Sequence, residues 1–414
     1  MSRQRIHGYC ALCISRCGSI ATVQDGRLIK VEADPEHPTG GGFCAKGRAG
    51  PELVRSPERV LRPTRRLGPR SAPTGWERIS WDDALDEIAA SMRRAAATSG
   101  PQSVAFSVTT PSGTAIGDSF AWIHRLARSF GTPNVVFATE NCNWHKDFSP
   151  QDTFGSGIGM PDLERTGCLL LWGANPPTSW LSLALAPPKA RRRGMKLIVI
   201  DPRKTGFAGR ADLWLSPRPG SDGALALAMA RVALEEGLAD QGFLSRFSNA
   251  PFLVRGDTGR FLRAAELEVG AAVDGFLAWD LDEGAAVAVG SARDSARLAS
   301  SGSFTVQTLA GPVLCCPAHS HYADACRSMS LARAEALTGV PAPQIRSAAR
   351  LMFEAGPAGF FTWTGLCQQS DATQTTRALC LLYALTGQLD APGGNVLFPR
   401  PTPDDVSGLE LLPA

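Results

Sequence analysis

The sequence CALCISRC at residues 10–17 and the sequence CAKG at residues 44–47 place four cysteines in the pattern C-x2-C-x3-C-x26-C. Four thiolates from two tight turns and one long return loop can surround a soft metal centre, because such centres prefer sulfur ligands. The spacing favours an iron-sulfur cluster, since three residues between the second and third cysteines suit a wrapping loop. Tetrahedral zinc stays an alternative, because C-x2-C turns are common in structural zinc sites.

The residues around these cysteines, 1–57, are predicted to form a small β-rich module. Ile20 to Val31 alternates apolar and polar residues around Asp25-Gly26, which is the pattern of a hairpin with a tight turn. Asp34 to Gly42 is rich in proline and glycine and predicts a loop that leads back to Cys44. Because a segment of this size has little apolar content, we expect the metal to organise it.

The composition is that of a globular protein with several domains: 414 residues, of which 44% are hydrophobic, and a net charge of +3. The small charge predicts neither nucleic-acid binding nor attraction to an anionic membrane, and no apolar run of eighteen residues predicts a membrane span. The first residues lack the apolar stretch of a secretion signal. Eleven cysteines then suit metal binding in a reducing cytoplasm better than disulfides.

Beyond the module, strand-like runs alternate with helix-like segments. Ser80 is expected to cap a helix with Asp82 and Asp83 in its first turn and an apolar stripe at Ala84, Leu85, Ile88 and Ala89. Short apolar runs separated by helices predict doubly wound α/β sheets. The predicted elements are strand 103–108, helix 118–130, strand 134–138, strand 168–172, helix 179–193, strand 196–200, strand 211–215 and helix 222–236.

Polar residues follow successive predicted strands, where ligands of such sheets bind. Gly173 would let the backbone approach a bulky ligand, and Asn175 offers a donor and an acceptor. Asp201 could accept a hydrogen bond from a ribose or guanine, and Arg203 could pair with a phosphate. Each motif alone also suits a plain turn, but three at successive strand ends predict a polar ligand. The chain has no G-x-G-x-x-G after a strand and no Walker lysine motif, so an ordinary dinucleotide or triphosphate site is disfavoured.

Seven motifs in this order resemble the molybdopterin oxidoreductases of the dimethyl sulfoxide reductase superfamily, which include formate dehydrogenases and nitrate reductases. The resemblance covers essentially the whole chain. The motifs are the cysteine run ending in Cys44-Ala45-Lys46-Gly47, then residues 76–83, Leu171 to Pro176, Ile198 to Thr205, Arg218 to Gly223, Leu337 to Pro341, and Leu385-Thr386-Gly387 with Pro392-Gly393-Gly394.

The resemblance implies a 4Fe-4S cluster on Cys10, Cys13, Cys17 and Cys44, and a molybdenum or tungsten ion held by two molybdopterin guanine dinucleotides. It also implies that Lys46 lies between cluster and pterin, where a cation stabilises added negative charge as electrons pass. The cofactor-contacting positions that it implies are Gly173, Asn175, Asp201, Arg203, Thr205, Arg218, Gly220, Asp222, Gly365 and Gln368.

Cys142 matches the family position that ligates the metal in cysteine-ligated and selenocysteine-ligated members, thirteen residues before Gly155. A soft thiolate suits the sulfur-rich sphere of such an ion. A small buried thiol is the alternative for Cys142. His145 is a candidate for moving a proton at the substrate, although Asn143-Trp144 separates it from Cys142, unlike the formate dehydrogenase pattern. The run Cys315 to His321 is expected to be structural, because its spacing is a poor template for one tetrahedral metal.

The implied fold is a β-rich cluster-binding module, 1–57, followed by two doubly wound α/β domains. One is discontinuous, 58–140 with 340–414, and the other, 141–339, is inserted into it. A C-terminal barrel domain found in full-length relatives is expected to be absent. We therefore expect either a fragment or a chain that depends on a separate subunit supplying that domain.

The predicted function is a two-electron oxidation or reduction of a small substrate at molybdenum or tungsten, with electrons relayed through the cluster to a partner protein. The alternative is a non-catalytic electron-transfer subunit resembling the large iron-sulfur subunit of NADH dehydrogenase, against which the retained Cys142 argues. A zinc-stapled structural protein would need neither Lys46 nor the polar strand ends. The substrate is not predicted.

Overall fold

A computed structural model of the chain describes residues 2–108, 120–137, 147–204, 206–290, 297–398 and 404–412. The chain divides into two compact units. Unit 1 comprises Met1–Asn141, Pro176–Ala186 and Arg400–Ala414, and unit 2 comprises Cys142–Asn175 and Pro187–Pro399. The division into domains 1–57, 58–140 with 340–414, and 141–339 stays a prediction.

Short elements dominate the first third of the chain. They are β1 (Arg3–Tyr9), β2 (Gly18–Gln24), β3 (Arg27–Ala33), α1 (Ala45–Arg48), α2 (Gly50–Arg55), β4 (Thr64–Leu67), β5 (Gly75–Arg78), α3 (Trp81–Ser99), β6 (Phe106–Val108), α4 (Phe120–Phe130) and β7 (Val135–Phe137).

Helices and strands alternate more regularly in the rest of the chain. They are α5 (Ser149–Phe154), β8 (Met160–Pro161), β9 (Cys168–Trp172), α6 (Pro176–Ser179), α7 (Leu181–Arg192), β10 (Lys196–Ile200), β11 (Leu213–Leu215), α8 (Asp222–Glu235), α9 (Gln241–Phe247), β12 (Leu253–Arg255), β13 (Leu277–Asp280), β14 (Ala285–Ala288), β15 (Phe304–Thr308), β16 (Gly311–Pro317), α10 (Ala318–Ser328), α11 (Leu331–Thr338), α12 (Ala342–Glu354), β17 (Ala358–Thr362), α13 (Ala372–Ala384) and β18 (Asn395–Val396). None of the helices in the described ranges is long and apolar enough to cross a membrane.

Unit 1 begins with an antiparallel sheet of order β1-β2-β3. The turn between β2 and β3 has positive φ at both Asp25 (51°) and Gly26 (75°), as the twist of a tight hairpin requires. The predicted hairpin and β-rich N-terminal module are therefore confirmed. Ile20 is buried at 6% exposure, while β1 is exposed along its whole length.

Helix α3 of unit 1 begins where the sequence predicts, and its apolar stripe is largely exposed. The Ser80 hydroxyl accepts a hydrogen bond from the Asp83 backbone N–H at 3.0 Å, which caps the helix. Leu85 and Ile88 are each 57% exposed. The reason is that no other described element of unit 1 covers this face.

The same unit contains a two-stranded parallel sheet, β6 with β7, and the amphipathic helix α4. Both strands are shorter than predicted, since residues 103 and 134 lie outside them. Trp122 and Leu126 on α4 are 59% and 52% exposed. Unit 1 thus presents apolar side chains from two helices to solvent.

Unit 2 is organised by a parallel sheet of order β11-β10-β9-β17. All five residues of β9 and of β17 are buried, as expected for strands covered on both faces. Helices α8, α12 and α13 contribute to the same core, which also contains Trp172, Phe360 and Tyr383. Strands 168–172 and 196–200 and the mixed α/β class are confirmed. The helix predicted over 179–193 is two helices, α6 and α7, which are separated at Trp180.

A β-rich part of unit 2, for which the sequence predicted no strands, follows α9. It contains the antiparallel sheet β12-β16-β15 and the hairpin β13-β14. The Trp279 and Phe304 rings stack with centroids 4.5 Å apart, and Leu253, Leu277 and Val306 form a small separate core. The pairing of β12 with β16 joins residues far apart in sequence, whereas β13 with β14 and β15 with β16 pair across short turns.

Asn395 closes the outer edge of β17. Its amide oxygen accepts from the Phe360 N–H at 2.8 Å, and its amide nitrogen donates to the Phe360 carbonyl at 2.7 Å and the Ile158 carbonyl at 2.8 Å. The Asn395 N–H donates to the Tyr383 hydroxyl at 2.7 Å. Because Asn395 is fully buried, these bonds satisfy backbone groups that water cannot reach.

A second buried contact joins the end of β9 to the start of α8. The Trp172 indole donates to the Asp222 carboxylate at 2.7 Å, and Asp222 is only 6% exposed. Burial raises the pKa of Asp222 above its ordinary value, and the Trp172 hydrogen bond offsets part of that rise.

We predict that Asn395→Ala destabilises unit 2 by roughly 3 kcal/mol or more, because it leaves two carbonyls and one N–H buried without partners. The midpoint of urea unfolding measures this. The matched control is Asn249→Ala, at an exposed asparagine of the same unit, for which we expect a change within about 0.5 kcal/mol. An equal effect of both substitutions would contradict the structural role of Asn395.

We predict that Asp222→Asn becomes progressively more stable than the unchanged protein as pH rises from 4 to 8. The raised pKa means that the folded state favours the protonated carboxyl, so its stabilising contribution is present at low pH and is lost as pH rises through the folded pKa. Asparagine keeps an acceptor for Trp172 and does not ionise. Unfolding midpoints across this pH range test the prediction, and Asp152→Asn, at an exposed carboxylate, should show no such trend.

Candidate functional site

The four cysteines of the N-terminal motif lie around one cavity in unit 1. Cys10, Cys13, Cys17 and Cys44 line it together with Leu12, Phe43, Lys46 and Gly47. The Cys10 N–H donates to the Cys17 carbonyl at 2.8 Å, and the Arg16 N–H donates to the Cys13 carbonyl at 3.3 Å. These bonds fold the loop so that its thiols point to the same space as Cys44, which immediately precedes α1.

The other three thiols of this cavity influence the ionisation of Cys17. Burial raises the pKa of the Cys17 thiol, and the neighbouring Cys13, Cys10 and Cys44 raise it further, so four ionisable thiols lie within electrostatic reach. Four such thiols suit a soft metal centre, because thiolates are its preferred ligands.

Gly47 and Lys46 complete the cavity wall. A Cβ at Gly47 would lie 2.7 Å from the Phe43 ring, so only glycine allows this ring to pack under α1. The Lys46 side chain is exposed on the first turn of α1 and lines the same cavity as the thiols. The structure thus places the one lysine singled out by the sequence against the cysteine site.

A second group of sequence-predicted residues lies where the parallel strands of the unit 2 sheet reach their C-terminal ends. We call this side of the sheet its carboxyl edge. Gly173 follows β9, Asp201 follows β10, Asp222 begins the helix after β11, and Gly365 follows β17. These four strands are parallel neighbours, so their carboxyl ends share one edge. The structure therefore brings together residues that are almost 200 positions apart in sequence.

Gly173 and Gly365 are in backbone contact at this edge. The Gly365 N–H donates to the Gly173 carbonyl at 3.1 Å. Gly173 has φ of 60°, and a Cβ there would lie 3.1 Å from the Gly365 Cα. A side chain at either position would separate the two loops, so both glycines are required by the close approach.

Asp201 organises the loop after β10. Its carboxylate accepts from the Arg203 N–H at 2.8 Å, and its carbonyl accepts from the Trp214 indole at 2.9 Å. Lys204 lies 5.2 Å from the Trp214 ring centroid. The Arg203 side chain is exposed and makes no ion pair within the described part of the chain. Asn175 packs against Gly206, whose φ of 54° and missing Cβ make room for it.

The three residues predicted to contact the cofactor in the loop after β11 all make contacts within the protein. The Arg218 guanidinium donates to the Ala336 carbonyl at 2.6 Å and the Leu337 carbonyl at 3.1 Å, so it binds the end of α11. Gly220 has φ of 86°, and its absent Cβ would lie 3.0 Å from the Gln369 side-chain oxygen. Asp222 uses one carboxylate oxygen for Trp172. Cofactor contacts by Arg218, Gly220 and Asp222 stay predictions.

Gln369 is a residue at this edge that the sequence analysis did not select. Its amide donates to the Gly365 carbonyl at 3.3 Å and faces Gly220, whereas the neighbouring Gln368 is exposed. Only the three-dimensional proximity of two loops distinguishes these adjacent glutamines. The predicted positions Cys142, His145 and Thr205 lie outside the described residues.

The cysteine-histidine run after β15 does not form a metal site in the described part of the chain. Cys315 is 1% exposed and belongs to the small core of unit 2. Cys316 is partly exposed, and its sulfur lies 3.3 Å from the His321 Nε2. The prediction of a structural role fits Cys315.

Family models match almost the whole chain. The model described as molybdopterin oxidoreductase matches residues 59–398, and the model described as molybdopterin oxidoreductase Fe4S4 domain matches residues 4–56. The second match contains all four cysteines that line the cavity.

Relatives and a solved structure agree with these matches. A sulfite dehydrogenase from Allochromatium vinosum is 30% identical over 95% of this chain and 44% of its own length. The molybdopterin-containing polypeptide of thiosulfate reductase from Salmonella typhimurium is 34% identical over 58% of this chain and 31% of its own. Acetylene hydratase from Pelobacter acetylenicus superposes with a TM-score of 0.68 at 26% identity, covering 92% of this chain and 43% of its own.

The chain therefore spans less than half the length of these relatives. The α/β architecture with its β-rich N-terminal module, the cavity lined by four thiols and the matches of both family models lead to one conclusion. This chain belongs to the molybdopterin oxidoreductases of the dimethyl sulfoxide reductase superfamily and carries their Fe4S4 domain at its N-terminal end.

Proposed function

We propose that the chain is part of a molybdenum or tungsten oxidoreductase that binds two molybdopterin guanine dinucleotides and acts on a small substrate. This proposal rests on one observation. Gly173, Asp201, Asp222 and Gly365 all lie at the carboxyl edge of one parallel sheet. When bound, the cofactor supplies two-electron redox chemistry, which the protein orients and tunes.

The cysteine cavity is proposed to hold the 4Fe-4S cluster through Cys10, Cys13, Cys17 and Cys44. The cysteines bind a cluster as thiolates, and burial together with the neighbouring thiols raises the pKa of Cys17 in the bare site. Lys46, on the wall of the same cavity, would offset part of the negative charge. Its proposed role is to hold a positive charge beside the path of the electrons.

The sheet edge is proposed to hold the nucleotide part of the cofactor. Gly173 and Gly365 offer bare backbone for close approach, and the exposed Arg203 offers a guanidinium for a phosphate. Asp201 would accept hydrogen bonds from ribose or guanine, and Asn175 would both accept and donate them. Thr205, Arg218, Gly220, Asp222 and Gln368 are proposed as further contacts on the strength of their motifs.

Cys142 is proposed to ligate the metal, since a thiolate suits a sulfur-rich coordination sphere. His145 is proposed to hold or release a proton at the substrate, because a neutral imidazole can change protonation near neutral pH. These two assignments depend on the sequence pattern. Formate, nitrate, thiosulfate, sulfite and sulfoxides are the small substrates to screen with a viologen dye.

Two partners are proposed. One is an electron-transfer protein that exchanges electrons with the cluster. The other is a polypeptide, in the same chain or a separate one, that corresponds to the remaining length of the relatives. Exposed apolar side chains that such a polypeptide could cover are Leu85 and Ile88 on α3 and, as a separate pair, Trp122 and Leu126 on α4. A cytoplasmic location stays a prediction.

We predict about four irons per chain and molybdenum or tungsten in anaerobically purified protein. Cys13→Ser should lower the iron content and the visible absorption of the cluster, because it removes one proposed ligand. Cys316→Ser, at a partly exposed cysteine outside the cavity, is the control and should leave both unchanged. Zinc in place of iron would overturn the cluster assignment, and iron without molybdenum or tungsten would favour the electron-transfer alternative.

We predict that Cys142→Ala abolishes turnover with any substrate that the unchanged protein accepts, while the cluster spectrum stays the same. The reason is that Cys142 is proposed as a ligand of the catalytic metal and not of the cluster. Steady-state assays with a viologen dye and the visible spectrum provide the two readouts. Retained activity would remove Cys142 from the proposed role.

A further inference from the structure

A cleft with a volume of about 810 Å³ opens in the β-rich part of unit 2. This volume lies in the range of small-molecule sites. Three arginines line it, Arg255, Arg260 and Arg263, together with Glu266 and the apolar Phe261 and Val273. We call these six residues the arginine cleft. The proposed oxidoreductase function uses none of them.

A hairpin fixes the arginines of the cleft. The Arg255 N–H donates to the Arg260 carbonyl at 2.8 Å, and the Leu262 N–H donates to the Leu253 carbonyl at 2.8 Å. Gly259 has φ of 67° in the intervening turn. Because β12 also pairs with β16, the wall that carries Arg255 and Arg260 is part of a sheet and not a free loop.

Arg255 serves as a structural support of the cleft. Its Nε donates to Asp257 at 3.0 Å, its Nη2 donates to the second Asp257 oxygen at 2.6 Å, and its Nη1 donates to Glu266. The second Glu266 oxygen accepts from the Arg263 N–H at 2.9 Å. Both carboxylates are therefore engaged with Arg255, which offsets one of their two negative charges.

Arg260 and Arg263 keep donors available. The Arg263 guanidinium carbon lies 3.8 Å from the Phe276 ring centroid, and its Nη1 donates to the Asp274 carbonyl at 3.1 Å. Within the described ranges, its other side-chain donors make no hydrogen bond, and Arg260 is exposed without an ion pair. Since three guanidinium groups face two carboxylates, the cleft keeps a net positive charge.

We propose that the arginine cleft binds a small organic anion. Its carboxylate, sulfonate or phosphate group would lie between Arg260 and Arg263, and its apolar body would lie against Phe261 and Val273. Guanidinium groups bind such oxyanions through charge-assisted hydrogen bonds. The stacking of Arg263 on Phe276 fixes its orientation before the anion arrives, which reduces the entropy lost on binding.

Titration of the full chain with naphthalene-1-sulfonate, followed by calorimetry, tests this proposal. We expect one saturable site whose affinity falls as salt rises, because salt screens the attraction between the guanidinium groups and the sulfonate. The uncharged 1-naphthalenemethanol should bind at least about tenfold more weakly, since it cannot form the charged hydrogen bonds.

Substitutions of Arg260 and Arg263 test whether these two arginines form the binding site. Arg260→Gln combined with Arg263→Gln should weaken sulfonate binding at least about tenfold. Arg297→Gln, at an exposed arginine of the same unit that pairs with Asp282, is the matched control and should not change it. Arg260→Gln alone should weaken binding without changing the circular dichroism spectrum, because this side chain is exposed. The absence of a saturable site, equal affinity for the uncharged alcohol, or unchanged affinity in the double variant would overturn the proposal.

Discussion

The unit 2 site depends on the parallel pairing of β9 with β10 and β17. Parallel strands end at one edge of their sheet, so the loops that follow them must meet there. At that edge the Gly173 and Gly365 backbones touch, and no side chain fits between them. The residues proposed to contact the nucleotide all follow strands of this sheet. A sheet with another strand order would leave the same motifs apart.

The N-terminal site is held together by different interactions. Few apolar residues are buried around the thiols, where Cys17, Ile20 and Phe43 are the described buried hydrophobic residues of the segment 2–57. The loop geometry is instead held by backbone hydrogen bonds and by Phe43 under Gly47. Such a segment gains much of its stability from what its thiols bind, since the free energy of metal binding becomes folding free energy.

The sequence correctly predicted features that are determined by residues close together in the chain. The hairpin at Asp25-Gly26, the Ser80 cap and the strands over 168–172 and 196–200 follow from turn chemistry, capping and short apolar runs. The apolar stripe of α3 is largely exposed, because burial of a helix face depends on what packs against it and not on the pattern alone. The attachment of Arg218 to α11, the selection of Gln369 over Gln368 and the arginine cleft all arise from contacts distant in sequence, which no local pattern encodes.

The amide of Asn395 occupies the place that another strand's backbone would take beside Phe360. An exposed sheet edge can recruit strands from other molecules, which leads to domain exchange or fibrils. Strand β17 is not such an exposed edge, because all five of its residues are buried and the donor and acceptor of Phe360 are already engaged. One side chain thus ends the hydrogen-bond ladder of the sheet inside the fold, where a further strand would otherwise be required.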